Sequence, residues 1–104
     1  MKTASQRIEI CFKQTMELAE RLRLLAEEVK SITRQDIPAV GTITKRGWSS
    51  ECADCLVKKE LAIGSRLWEE GEELKKLAGE LEEQAREMYL AETINAALAA
   101  TRIY

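Results

Sequence analysis

The chain contains no histidine, one proline, five glycines, three cysteines and few aromatic residues among its 104 residues. Without histidine, a serine or cysteine nucleophile lacks its usual general base. Carboxylates are plentiful, but they fall on polar helix faces, outside any apolar pocket that would make one of them a general acid. No glycine-rich phosphate-binding loop is present either. The sequence therefore predicts a protein that is not an enzyme and needs no cofactor.

Long apolar runs are also missing, because charged residues interrupt every run well before the roughly 18 residues that a membrane-spanning helix needs. The N-terminus MKTASQRIEI has no apolar core of the kind found in secretory signal peptides. A net charge of -2 gives no general attraction to nucleic acids or anionic membranes. We expect no nucleic-acid partner and no membrane insertion. The expected location is the cytoplasm, or the exterior by a route that reads no signal peptide.

The residues that are abundant favour long helices. Hydrophobic residues make up 45% of the chain and charged residues 33%, the balance of helices with one buried stripe and one solvated face. A first helix is predicted over 3–35, opened by a capping box formed by Thr3 and Gln6. Phe12, Ala19 and Ala26 widen its apolar stripe. The stripe itself follows a strict spacing of three and four residues: Ile8, Cys11, Thr15, Leu18, Leu22, Leu25, Val29 and Ile32.

A break is predicted between two helices, over residues 36–48. Pro38 biases Ile37 away from helical angles, Gly41 and Gly47 punctuate the segment, and β-branched residues at 42–44 favour a partly extended backbone. A second helix is expected over 49–80, with a helical segment at 81–104 that overhangs the first helix. The predicted fold is a single all-α domain over 1–104, an antiparallel two-helix hairpin with a long second helix. Because two helices enclose little apolar surface, we expect it to complete a four-helix bundle by association.

Two rows with a spacing of seven mark the second helix as the partner-binding surface. One row is Leu67, Leu74, Leu81 and Met88, and the other is Gly64, Gly71, Ala78 and Ala85. Glycine weakens a helix, so two on one face suggest that another backbone approaches closely; the alternative is that they are tolerated weak points. Trp68 packs beside that approach, either within the chain or at an interface. The predicted partner-binding residues are Gly64, Leu67, Trp68, Gly71, Leu74 and Leu81.

The second helix is also acidic, and its charges allow two interpretations. They form a solvated face tied by pairs four residues apart, such as Glu72–Lys76 and Glu82–Arg86, or they form a site for a basic partner.

Cys52 and Cys55 form the one recognisable chemical motif, Cys-x2-Cys. Their alternatives are plain packing, a redox pair, or a zinc or disulfide junction at which two chains each contribute this motif. Since a structural zinc needs four ligands and one chain offers two here, no metal site is predicted within a single chain. A cytosolic dimer with a thiol or metal junction is the alternative to a helical adaptor. An odd cysteine count favours a reducing compartment.

Two helices in about a hundred residues, joined by a connection that ends in Trp48-Ser49-Ser50, resemble the WXG100 superfamily. These bacterial helical hairpins are exported by, or escort cargo to, type VII secretion systems. The family turn motif is Trp-x-Gly, and a serine here replaces the glycine, as in a divergent branch that includes small partners of LXG-type toxins. The resemblance makes Trp48 the turn tryptophan. It implies that the partner is another helical hairpin, either a second copy or the N-terminal domain of a toxin.

The family's export signal is Tyr-x-x-x-Asp/Glu. Here Tyr89 precedes Glu92 by three residues, and Met88-x-x-x-Glu92 fits a looser version that begins with a hydrophobic residue. The resemblance implies a targeting patch of Met88, Tyr89 and Glu92, which contributes to a composite signal with a partner, and a contact with the secretion ATPase. The implied function is that of an adaptor, or a small substrate, of a bacterial type VII secretion system.

Overall fold

A computed structural model describes residues 3–47 and 51–102 of the chain, and every regular element in these ranges is helical. Helix α1 spans Ala4–Ser31, a π-helical turn follows at Ile32–Asp36, α2 spans Ile37–Gly47 and α3 spans Glu51–Thr101. At the start of α1, the Gln6 amide donates to the Thr3 hydroxyl (3.1 Å) and the Thr3 amide donates to the Gln6 side-chain oxygen (2.9 Å). The all-α class and the capping box are confirmed. Trp48, Ser49 and Ser50 lie outside the described residues.

The break predicted at 36–48 is wrong over 36–47, because the chain stays helical there. Ile37 has helical angles (φ -62°, ψ -49°), and its amide donates to the Ile32 carbonyl five residues back. Proline lacks an amide hydrogen and its ring crowds the carbonyl four residues before it. A wider π turn directly before Pro38 accommodates that ring without ending the helical course.

The β-branched segment after Pro38 is helical as well, as part of α2. The Thr42 hydroxyl donates to the Pro38 carbonyl (3.1 Å), and the Thr44 hydroxyl donates to the Val40 carbonyl (3.0 Å). These bonds give both threonines a partner four residues back within the helix. The extended backbone predicted for 42–44 is therefore wrong.

The contacts of the chain group it into two units. The first unit contains 3–22 and 76–102, and the second contains 23–47 and 51–75. In each, two antiparallel helical segments pack side by side. The single domain over 1–104 stays a prediction.

In the first unit, residues 81–96 pack against α1 rather than overhanging it. The rings of Phe12 and Tyr89 lie 4.6 Å apart between centroids. The overhang predicted for 81–104 is thus wrong over this stretch. The sequence-based register assumed that the first helix stopped at 35, whereas helical residues up to Gly47 pair with the first part of α3.

Small residues occupy the centre of both helix contacts. Ala19 and Ala78 are completely buried in the first unit, and Ala26 is 1% exposed in the second. By contrast, Leu18 and Leu25, one residue earlier on α1, are half exposed. The predicted stripe is therefore rotated, with its centre on Phe12, Ala19 and Ala26. Alanine and glycine let the two backbones approach, which leucines at these positions would prevent.

Gly71 shows how close this approach is. A Cβ added there would lie 3.4 Å from the Ala26 carbonyl oxygen and 3.0 Å from Lys30 Cγ, whereas one added at Gly79 would meet nothing within 4 Å. We expect Gly71→Leu to lower the free energy of unfolding by about 1–3 kcal/mol through overpacking. Gly79→Leu, the matched control, is expected to raise it by about 0.5–1 kcal/mol through helix propensity. Urea unfolding followed by circular dichroism measures both, and equal effects would contradict the close approach.

Candidate protein-interaction site

A polar cluster marks one side of the helix pair in the second unit. The Lys30 side chain is 7% exposed, forms an ion pair with Glu72 and lies 4.6 Å from the centroid of the Trp68 ring. The Arg34 guanidinium lies 5.8 Å from the same ring. The hydrogen bond from Lys30 lowers the pKa of the Glu72 carboxyl. This side is therefore occupied by intramolecular cation–π contacts and an ion pair.

The opposite side of the first helical segment of this unit, formed by α1 and the first residue of the π-helical turn, is apolar. At about 100° per residue, Leu25 and Ile32 lie to one side of buried Ala26, and Lys30 lies to the other. Leu25 is 45% exposed and Ile32 is 39% exposed.

Helix α3 also has a polar side and a second side that is partly apolar, separated by buried Gly71 at the helix contact. Trp68 and Glu72 lie to one side of Gly71, and Ile63 and Glu70 lie to the other. Since Lys30 contacts Trp68 and Glu72, Leu25 and Ile32 share the other side of the pair with Ile63, which is 53% exposed. Half-buried residues lie between these exposed ones and the contact centre. We call the whole set the apolar face: Leu25, Val29, Ile32, Ile63, Leu67 and Leu74.

The first unit contains a groove between α1 and α3 with a volume of about 320 Å³. Met88 is 62% exposed on its wall, the Tyr89 ring contacts the Phe12 ring at a tilt of 41°, and Glu92 is exposed. The structure thus brings the predicted targeting patch together with residues of α1. The lining consists of Ile8, Cys11, Phe12, Thr15, Leu81, Ala85, Met88, Tyr89 and Glu92.

The six predicted partner-binding residues separate into three groups. Gly64 and Gly71 are buried by the chain itself, against Ile37 and against Ala26 with Lys30, so they are not open to a partner. Trp68 lies on the polar side. Leu67, Leu74 and Leu81 are half-buried, and the first two belong to the apolar face. Sequence reasoning missed Ile63, although a row with a spacing of seven contains it together with exposed Leu56, Glu70 and Leu77.

Of the two ion pairs predicted at a spacing of four residues on the second helix, the structure contains one. Arg86 and Glu82 form the expected pair, with a closest N–O distance of 3.8 Å. Glu72, predicted to pair with Lys76, pairs with Lys30 instead. The long-range pair prevails because Lys30 lies across the close helix contact beside Gly71.

The three cysteines are free and exposed, with Cys52 and Cys55 in the first turns of α3. Within 3–47 and 51–102, no group of three or more histidine, cysteine or acidic residues is placed to hold a metal ion. Within the same ranges, no helix combines the length and the apolar character needed to cross a membrane.

Comparison with known proteins found no match to a family model, a curated protein or a solved structure. The case for a function therefore depends on the residues and geometry of the chain itself.

Proposed function

We propose that this chain is a non-enzymatic helical adaptor that completes a four-helix bundle with a partner helical hairpin. The observation that carries the proposal is the apolar face of the second unit, where Leu25, Ile32 and Ile63 remain 39–53% exposed along two neighbouring helical segments. Aligned apolar rows on two adjacent helices are the surface on which a second helix pair packs in a bundle.

The proposal includes a setting, a bacterial type VII secretion system, in which the chain is an adaptor or a small substrate. Its support is the resemblance carried by Trp48-Ser49-Ser50 and by Met88, Tyr89 and Glu92. The groove around these last three residues offers an apolar wall with a carboxylate at one end, which suits a recognition segment of the secretion ATPase, whereas the partner hairpin covers the apolar face. The partner in this setting is the helical N-terminal domain of a toxin or another hairpin.

Export is the experiment that tests the setting. In a bacterium with a type VII system, the tagged chain and its partner are expected in the culture medium only while the secretion ATPase is intact. Glu92→Ala is expected to reduce export several-fold while leaving association unchanged, because Glu92 is exposed on the groove and lies outside the apolar face. Immunoblots of medium and cell fractions measure this, with Glu87→Ala as a control on the same helix. Export that persists without the ATPase would contradict the secretion setting.

A further inference from the structure

We propose that Cys52 and Cys55 bind one copper(I) ion within a single chain, with their two thiolates as its only protein ligands. Both thiols are free and exposed, and both belong to the first turns of α3, which begins at Glu51. The pair lies outside the apolar face, so this inference goes beyond the proposed function and does not rest on it.

The spacing of the two cysteines suits a bridging metal ion better than a disulfide. Residues three apart on an α-helix lie on one face, with about 5–6 Å between their Cβ atoms. A disulfide requires about 3.5–4.5 Å between the same atoms, so α3 would have to deform to form one. A metal ion in line with two sulfurs, at about 2.3 Å from each, holds the sulfurs about 4.5 Å apart. The Cβ atoms bonded to these sulfurs then keep the separation that the undistorted helix provides.

The number of available ligands selects the metal. Structural zinc takes four ligands, and within residues 3–47 and 51–102 no group of three or more histidine, cysteine or acidic residues could hold a metal ion. Copper(I) is a soft ion with a filled d shell, and two thiolates in a line are a stable ligand set for it. Glu51 and Asp54 lie nearby in the chain, but their carboxylates are hard ligands that copper(I) disfavours. The four-ligand requirement that excludes zinc from a single chain therefore does not apply to copper(I).

The charges beside the pair favour the bound state. Binding releases two thiol protons, and the resulting complex of one copper(I) ion and two thiolates carries one negative charge. Lys58 and Lys59 are exposed and follow Cys55 by three and four residues, so their ammonium groups lie next to the complex. Glu51 and Asp54 oppose them, whereas the positive end of the α3 dipole adds to the effect of the lysines. The lysines and the dipole together stabilise the anionic complex.

A copper(I) titration against a competing chelator tests the site. Copper(I) bicinchoninate is mixed with the full chain under anaerobic conditions with ascorbate, and the loss of its visible absorbance gives the stoichiometry and the dissociation constant. We expect the wild type to bind one ion per chain. Cys52→Ser and Cys55→Ser are each expected to weaken binding at least about 100-fold, because only one thiolate of the pair remains. Cys11→Ser removes an exposed thiol in the first unit and, as the matched control, is expected to bind like the wild type.

Two further measurements on the wild type do not depend on the folding of any variant. X-ray absorption of the copper-loaded chain is expected to show two sulfur neighbours per copper ion at about 2.2–2.3 Å. The molar mass by light scattering is expected to be the same with and without copper. Equal affinities for Cys11→Ser, Cys52→Ser and Cys55→Ser would overturn the inference. Three or four sulfur neighbours together with a mass that doubles on copper binding would also overturn it, because the ion would then be shared between two chains.

Discussion

Replacing Ala78 by leucine is expected to lower the free energy of unfolding by about 1–3 kcal/mol, with a lower melting temperature. Ala78 is completely buried, as is Ala19, in a unit of only two helical segments, so each alanine is covered by the other segment. The larger side chain must force these segments apart. Leucine and alanine have similar helix propensities, so the loss reports packing alone.

Ala97 provides the matched control for this change, since it is an exposed alanine on the same helix and in the same unit. Ala97→Leu is expected to change the melting temperature by no more than a degree or two, whereas each kcal/mol lost at Ala78 lowers it by about 4–8 °C. Thermal unfolding followed at 222 nm, at one protein concentration, measures both. Equal melting temperatures for Ala78→Leu and the wild type would show that the alanine contact is loose.

Replacing Ile63 by glutamate is expected to weaken association at least about 100-fold, because burial of an isoleucine is lost and a carboxylate must be desolvated. Ile63 is 53% exposed in the apolar face, so the substitution leaves the contacts inside the chain nearly unchanged. Helicity should therefore stay at the wild-type level. The readout is the molar mass by light scattering, or the affinity for an identified partner.

Leu61 provides the matched control for Ile63→Glu. It is 59% exposed, two residues before Ile63, and it lies on the polar side with Trp68. Leu61→Glu is expected to leave association unchanged. If both variants associate like the wild type, the apolar face is not the binding surface.

Repeating the wild-type measurement of molar mass with chelator and with reductant tests the alternative junction at Cys52 and Cys55. A molar mass that falls only with chelator would favour a shared metal ion.

Much of the candidate site could be read from spacing, but its boundaries could not. Leu67 and Leu74 were predicted at an interface and belong to the apolar face, whereas Gly64 and Gly71 are covered by the chain's own helices. A glycine row indicates a close approach without saying which backbone approaches. Ile63 was missed because its own row at a spacing of seven, Leu56, Ile63, Glu70 and Leu77, contains a charged residue and so has the pattern of an ordinary surface row. Ile63 can be assigned to the apolar face only when the structure shows that Gly71 lies at the contact between the helices.

The sequence by itself determined the helical class, the capping box at Thr3 and the absence of histidine chemistry, because these follow from residue type and local spacing. Only the tertiary structure decided which row of each helix turns inward and where the first helical course ends. The apolar stripe of α1 is wider than one contact needs, and the opposing helix selects the row with the smallest side chains. In the same way, Pro38 alone indicates a helix end, and the π turn before it allows helical packing to continue to Gly47.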